Sequence, residues 1–236
     1  MSHSSFRATL TSIHQMTPRV KQYVLQVDGH TFDYKPGQHT VLSYGRGDDM
    51  VARPYTPVTL PGTDKLVLGI KEYEGGAMSG WMDQRTPGDT VSLRALTGNL
   101  FLRNLDDDVV FLSTGTGITP MLAMLRHYLQ DGTGRATFLY GERTQQDLMF
   151  RETLDQLDAS HGALTVTYAL SDENWAGRTG HIQTHLDEVL ARTADTDFYI
   201  CGVPQMVVDT QAVLAERGVS DERIHTEGWE ENAVNE

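Results

Sequence analysis

The first hundred residues alternate apolar and polar side chains with a period of two. The alternation is clear in residues 23–27, 66–70 and 91–95, and it is the pattern of a strand with one buried face. Pairs of turn-forming residues, Pro36-Gly37 and Pro61-Gly62 among them, separate these runs. Many short strands at this spacing predict a small antiparallel β-barrel.

From about residue 108 the pattern changes to strand followed by helix. The apolar run 109–112 predicts a buried strand, the segments 136–140, 164–170 and 198–201 predict further strands, and a segment that fits a helix follows each one. Strands and helices that alternate at this interval predict a doubly wound parallel sheet, covered on both faces.

Two of the predicted helices carry sequence signals at their starts. Thr144 and Asp147 have the spacing of a capping box, which predicts that the helix containing Leu154 begins there. Pro120 suits the first position of the helix that follows the glycine-rich residues 115–117.

A polar, charged stretch at 103–108 separates the two patterns. We therefore predict a fold that combines β and α/β parts in two domains. The first is an antiparallel β-barrel over residues 1–104, and the second is a parallel-sheet α/β domain over residues 105–236.

Composition narrows the possible functions. With 32 acidic and 19 basic residues the net charge is −13, which argues against nucleic-acid binding because such a surface repels phosphate backbones. The acidity fits either a salt-adapted host or an ordinary acidic surface.

One cysteine excludes an internal disulfide and an iron-sulfur cluster held by four cysteines of this chain. The nine histidines lack metal-ligand spacing, so we expect no metal site. The chain has neither a leader pattern nor a membrane-length apolar run, so we expect a cytoplasmic protein.

The barrel half contains the string Arg53-Pro54-Tyr55-Thr56. The arginine fork matches a phosphate, the tyrosine ring offers a stacking plane, and the threonine adds a hydroxyl. The alternative interpretation is a proline-bent strand edge with a surface arginine.

About twenty residues later the chain contains Gly76-Ala77-Met78-Ser79, which begins a predicted short helix. Backbone N–H groups at a helix start attract phosphate, and glycine permits close approach. The alternative is a plain glycine turn with a serine cap.

Two further strings follow predicted strands of the second half. The first, Gly115-Thr116-Gly117-Ile118-Thr119-Pro120, is not the Gly-x-Gly-x-x-Gly fingerprint, but nucleotides bind at the carboxyl ends of strands in open α/β sheets. The second is Cys201-Gly202-Val203-Pro204-Gln205-Met206. The alternatives are a structural turn for the first and an inert core cysteine for the second.

Taken in order, these four strings and the later Glu227-Gly228-Trp229 resemble the ferredoxin-NADP reductase family over about residues 5–229. The resemblance implies a barrel that binds FAD and an α/β domain that binds NADH or NADPH. It also implies an oxidoreductase that takes a hydride from the nicotinamide and passes electrons to a separate acceptor, such as a ferredoxin or a similar small redox protein.

The resemblance implies roles for individual residues. Thr56 approaches flavin N5, Cys201 positions the nicotinamide without covalent chemistry, Glu227 lies near the reacting centre, and Trp229 covers the flavin. The residues expected at the flavin are Arg53, Pro54, Tyr55, Thr56, Ile70, Lys71, Gly76, Ala77, Met78 and Ser79. The residues expected at the nicotinamide nucleotide are Thr116, Gly117, Thr119, Arg143, Ser171, Asp172, Cys201, Gly202, Pro204 and Met206.

Coenzyme choice depends on the residue after Ser171. NADPH-selective relatives usually place an arginine there, whereas this chain has Asp172, which repels a 2′-phosphate and can accept ribose hydroxyls. Arg143 and Arg178 remain possible cations for the phosphate. The sequence favours NADH.

Two alternative functions stay open. A flavin reductase would bind flavin loosely as a substrate, although Arg53 and the string at 76–79 together favour retained FAD. An electron-transfer subunit of a larger complex would be inactive in isolation, although this chain lacks the cluster cysteines that such subunits often carry.

Overall fold

The computed structural model describes residues 5–188 and 196–227. The chain divides into two compact units, Met1–Phe101 and Leu102–Glu236. Each unit has its own six-stranded sheet. No helix in the described part of the chain is long and apolar enough to cross a membrane.

The first unit is an antiparallel sheet. Its strand order is β4-β3-β6-β1-β2-β5, and a bridge between Pro57 and Leu68 joins the two end strands. The predicted antiparallel barrel is therefore confirmed. Its elements are β1 (Ser5–Thr17), β2 (Val20–Gln26), β3 (Thr40–Tyr44), β4 (Val51–Tyr55), β5 (Lys65–Lys71), α1 (Ala77–Asp83) and β6 (Thr90–Arg94), with a 3-10 turn at Gly47–Asp49.

The period of two in the sequence places one face of these strands in the barrel core. On β2, Tyr23 and Leu25 are buried, and their partners on β5, Leu68 and Leu66, are buried with them. Met82 of α1 belongs to the same core. The short helix therefore packs on the barrel interior.

The second unit is a parallel sheet. Its elements are β7 (Asp108–Thr114), α2 (Ile118–Asp131), β8 (Ala136–Glu142), α3 (Arg151–Ser160), β9 (Leu164–Leu170), β10 (Arg178–Thr179), β11 (Thr196–Cys201), α4 (Pro204–Glu216) and β12 (Ile224–Thr226). Short 3-10 segments occur at Gly115–Gly117, Gln145–Asp147, Ile182–Glu188 and Asp221–Arg223. The order β10-β9-β8-β7-β11-β12 confirms the predicted doubly wound sheet.

The direction of winding reverses beside β7. The strands that follow it in sequence, β8 and β9, lie on one side, whereas β11 and β12 lie on the other. In open α/β sheets this reversal is the topological switch point, outside which ligands bind at the carboxyl ends of the strands. For this sheet, the switch point lies between β7 and β11.

Three local expectations were wrong. The helix containing Leu154 begins at Arg151, because Thr144 donates its hydroxyl hydrogen bond to the Asp147 side chain at 2.7 Å and closes a separate 3-10 turn. Pro120 is the third residue of α2, because that helix already begins at Ile118. After β9 the chain forms β10 and a 3-10 helix where an α-helix was expected.

Candidate functional site

In the first unit, Arg53 and Tyr55 lie two residues apart on β4 and so project from the same face. Pro54 between them is exposed. β4 is an end strand of the ladder and pairs with β3, which is where a sheet tolerates proline. The buried Thr56 follows directly after the strand.

The bridge between Pro57 and Leu68 brings β4 towards β5. Continuing that antiparallel register places Tyr55 opposite Ile70. The predicted flavin residues of β4 therefore face those at the end of β5, although they are distant in sequence. Burial raises the pKa of Tyr55, and the charges of nearby Arg53 and Tyr73 lower and raise it respectively. The side chain of Ile70 lies in the barrel core, and Lys71 ends β5 half-buried.

Tyr73 is a candidate that the sequence reasoning missed. Its ring is 51% exposed, and its hydroxyl lies within electrostatic reach of Tyr55. The available signal was an aromatic residue two positions before the glycine pair at 75–76. An exposed ring beside the Arg53–Tyr55 face offers a second stacking surface.

The glycine string forms the turn into α1. The Tyr73 N–H donates to Ser79 Oγ at 3.3 Å, and Ser79 Oγ donates to the Gly76 carbonyl at 3.4 Å. A Cβ on Gly76 would lie 3.1 Å from the Tyr73 Cβ and still nearer to Ser79 Oγ. The turn therefore requires glycine.

Backbone groups are the part of this turn that a ligand can reach. The N–H groups of Ala77, Met78 and Ser79 lie in the first turn of α1, so no carbonyl of the helix lies one turn before them to accept their hydrogen bonds. The Met78 side chain is buried in the barrel core. Any contact of Met78 with a ligand must therefore use its backbone.

In the second unit, the glycine turns after β7 and β11 pack against each other. A Cβ on Gly117 would lie 2.7 Å from the Gly202 nitrogen, and nearer still to the Cys201 carbonyl. A Cβ on Gly202 would lie 2.7 Å from the Met206 Cε and 2.8 Å from the Thr114 nitrogen. The two backbones meet at the switch point without room for a side chain on either glycine.

The other residues predicted in these turns lie around this contact. Thr119 is buried and donates to the Thr116 carbonyl at 3.0 Å, so its hydroxyl closes its own turn. Pro204 is the first residue of α4. Met206 is 5% exposed and belongs to the core of the unit.

Cys201, at the end of β11, lies within electrostatic reach of Glu227. The Cys201 thiol is buried, and burial first and the Glu227 charge second raise its pKa well above the ordinary value. The thiol is therefore protonated at neutral pH and cannot act as an activated nucleophile. Gly228 and the predicted Trp229 lie outside the described residues.

Ser113 is a second polar group at the same edge. Its side chain is 0% exposed, and it pairs in register with Cys201 on one side and Tyr140 on the other. Its hydroxyl has no hydrogen-bond partner within residues 5–188 and 196–227.

The ends of β8 and β9 bring the predicted adenosine residues together. Backbone N–H groups of Ser171 and Asp172 donate to the carbonyls of Glu142 and Arg143 at 3.0 and 2.9 Å. The Ser171 hydroxyl donates to the Asp172 carboxylate at 2.7 Å, and the Arg143 Nε lies 4.0 Å from that carboxylate. An acidic group therefore occupies this edge and attracts the nearby arginine.

A further contact stabilises the loops that follow β8 and β9. Glu173 accepts hydrogen bonds from the backbone and side-chain nitrogens of Gln145 at 2.7 and 2.6 Å. These bonds hold the pKa of Glu173 below its usual value. Because the partners come from different loops, they fix Asp172 beside Arg143.

Comparisons with known proteins agree with the division of the chain into two units. The sequence model of the oxidoreductase FAD-binding domain matches residues 7–101, and that of the oxidoreductase NAD-binding domain matches residues 111–212. The chain belongs to the ferredoxin-NADP reductase-like superfamily. It is an NAD(P)H-dependent flavoprotein oxidoreductase with FAD as its cofactor.

Individual relatives support the same assignment. The ferredoxin--NADP reductase B of Sorangium cellulosum is 29% identical over 95% of this chain and 98% of its own length. The ferredoxin--NAD(P)(+) reductase component of the Pseudomonas putida naphthalene 1,2-dioxygenase system is 27% identical over 94% and 68%. The solved flavohem-like FAD/NAD-binding domain of the Vibrio cholerae nitric oxide dioxygenase aligns with a TM-score of 0.87, 26% identity, and coverage of 95% of this chain and 98% of that one.

Proposed function

We propose that this oxidoreductase takes a hydride from NADH and passes the electrons to a ferredoxin or a similar small redox protein. The main support is the pair of glycine turns at the switch point, where a protonated, buried Cys201 lies within electrostatic reach of Glu227. Both curated relatives named above are ferredoxin reductases by name. We assign FAD binding to residues 1–104 and nucleotide binding to residues 105–236; the cytoplasmic location stays a prediction.

In the first unit, the residues present fit FAD. When bound, FAD supplies the chemistry that accepts a hydride and releases electrons singly. Arg53 neutralises the pyrophosphate, and the N–H groups of Ala77–Ser79, which have no partner within α1, donate to its oxygens. Tyr55 gives the isoalloxazine an apolar plane and Thr56 a hydroxyl. Glycine at position 76 avoids a clash with Ser79, whose hydroxyl accepts from the Tyr73 N–H and so closes the turn.

In the second unit, Cys201, Gly202 and Thr116 form the proposed nicotinamide end of the nucleotide site. A neutral thiol and a bare glycine offer a flat, apolar surface, which orients a planar ring and excludes water. Glu227, whose charge acts on Cys201, supplies an acidic side chain at this end.

At the adenosine end, the proposal of NADH depends on Asp172. The Asp172 carboxylate would repel the dianionic 2′-phosphate of NADPH, and it already attracts Arg143, whose Nε lies 4.0 Å away. The same carboxylate can accept hydrogen bonds from the ribose hydroxyls of NADH.

An anaerobic titration of the purified protein with NADH and then NADPH tests the proposal. We expect a yellow protein whose visible flavin absorption is bleached by NADH at lower concentration than by NADPH. Adding oxidised ferredoxin should then restore the flavin spectrum. A colourless protein that oxidises NADH only with added flavin would instead indicate a flavin reductase. A yellow protein that neither nucleotide bleaches would indicate a subunit that requires its partners.

A further inference from the structure

Thr114 joins the two glycine turns by a hydrogen bond between residues 89 positions apart in sequence. The Val203 N–H donates to Thr114 Oγ1 at 3.0 Å. Thr114 is the last residue of β7, and Val203 precedes α4. The bond therefore joins the end of one central strand to the turn that follows its neighbour.

The hydroxyl of Thr114 has no role in its own turn. Thr114 caps the 3-10 segment Gly115–Gly117 by position, yet its side chain makes no capping hydrogen bond there. The β-branched side chain packs against Gly202, where no Cβ fits. The hydroxyl thus contributes to the Cys201–Val203 turn and not to the start of α2.

If the Thr114 hydroxyl were removed, the Val203 N–H would not be left buried without a hydrogen-bond partner. The Val203 side chain is 56% exposed, so water can replace the lost partner at modest cost. Pro204, the first residue of α4, has no N–H to donate, and its ring fixes its own φ near the helical value. The Val203 N–H is therefore the donor through which the turn can be held in one position relative to β7.

We propose that Thr114 is a positioning residue for hydride transfer. Its hydroxyl holds the Cys201–Val203 turn, and with it the surface against which the nicotinamide lies, in register with the Gly115–Gly117 turn. This inference rests on the proposed function, because it assigns the nicotinamide to that turn. Thr114 itself need not touch the coenzyme.

The test compares Thr114→Val with Thr114→Ser. Valine keeps the branched shape and removes the acceptor, whereas serine keeps the acceptor and removes the methyl group. We expect the valine variant to reduce its flavin about tenfold more slowly at saturating NADH, because small displacements of reacting groups have large kinetic effects. The serine variant should stay within about twofold of the wild type. Thr165→Val, on the exposed amino-terminal part of β9, is the matched control and should leave the rate unchanged.

Hydrogen exchange at the Val203 amide gives a readout that does not depend on activity. Exchange should accelerate in Thr114→Val and return towards the wild-type rate in Thr114→Ser. The flavin spectrum and FAD content should be unchanged in both, because these report on the first unit. If valine unfolds the second unit, Thr114→Ala provides the same loss of the acceptor without β-branching.

The possible results distinguish failure of the proposed Thr114 role from failure of the proposed reductase function. A wild-type flavin that neither NADH nor NADPH reduces would refute the proposed function. A wild-type enzyme that works, combined with a valine variant that is equally fast, would refute only the role of Thr114. Equal slowing by serine and valine would also refute it, since the hydroxyl would then be irrelevant.

Discussion

Replacing Gly117 with alanine should destabilise the second unit and weaken nucleotide binding. The new Cβ would lie 2.7 Å from the Gly202 nitrogen and nearer to the Cys201 carbonyl. Both neighbours are backbone atoms at the end of a central strand, so neither can move aside by changing rotamer. The two turns must therefore move apart before a Cβ can fit.

The magnitude follows from two opposing effects. Forcing extra volume into a packed region costs about 1–3 kcal/mol. Gly117 has φ −58° and ψ −16°, a helical conformation that alanine adopts readily, so the reduced freedom of the unfolded chain returns about 0.4–1 kcal/mol. We therefore expect a net loss between about 0 and 2.6 kcal/mol, about 1.3 kcal/mol at the midpoints, in the free energy of unfolding of the second unit.

Urea unfolding monitored by circular dichroism measures this loss, and a titration with NADH measures the binding. The matched control is Gly162→Ala in the same unit, where a Cβ would meet nothing within 4 Å. The control should be as stable as the wild type or slightly more stable, with unchanged NADH affinity. If Gly117→Ala matches the control in both measurements, the turns after β7 and β11 are not in tight contact.

Four other substitutions or treatments test separate parts of the structure. Gly80→Ala, inside α1 with open space around its Cβ, should raise the stability of the first unit by about 0.5–1 kcal/mol, measured by thermal unfolding; a loss of FAD affinity instead would place the ligand in that space. Because burial raises its pKa, Cys201 should stay protonated and resist iodoacetamide at pH 8 until denaturant is added, and rapid labelling of the folded protein would contradict the burial. Asp172→Arg should shift the KM ratio towards NADPH by removing the repulsive carboxylate and adding a fork donor, with Asp172→Asn separating the two effects; an unchanged ratio would move the 2′-phosphate elsewhere. Ser113→Ala removes a buried hydroxyl without a partner among the described residues and should leave urea stability unchanged or raise it by about 1 kcal/mol, whereas a clear loss would reveal a partner.

The fold could be predicted because two periodicities divide the sequence. The alternation at 23–27 and 66–70 became the paired core strands β2 and β5, since a period of two is compatible only with strands. The apolar run 109–112 became a central strand because a sheet covered on both faces buries every side chain. Helix boundaries were less predictable. The capping-box spacing at Thr144 and Asp147 is also met by a 3-10 turn, and the choice between the two depends on packing further along the chain.

The candidate site was predictable only where chemistry is encoded in adjacent residues. The strings at 53–56 and 115–120 identify their turns, but their sequence does not state which turns meet. Thr114 was missed because its partner Val203 is 89 positions away and both residue types are common at strand ends. Tyr73 was missed for a similar reason, since its relation to Tyr55 depends on the register that Pro57 and Leu68 set between β4 and β5.

Gly117 and Gly202 show how one residue can meet a structural and a functional requirement at once. From the sequence, a glycine in such a turn is interpreted as space for a ligand. In the structure, each glycine is already required because the backbone of the opposite turn occupies the space beside it. Thr114 adds a hydrogen bond to that contact. The geometry of the proposed nicotinamide surface is therefore set by the fold before any ligand binds, and this kind of preorganisation lowers the ordering cost of binding. A substitution at either glycine should consequently lower stability and coenzyme affinity together, whereas one that removes only the Thr114 hydroxyl should chiefly slow hydride transfer.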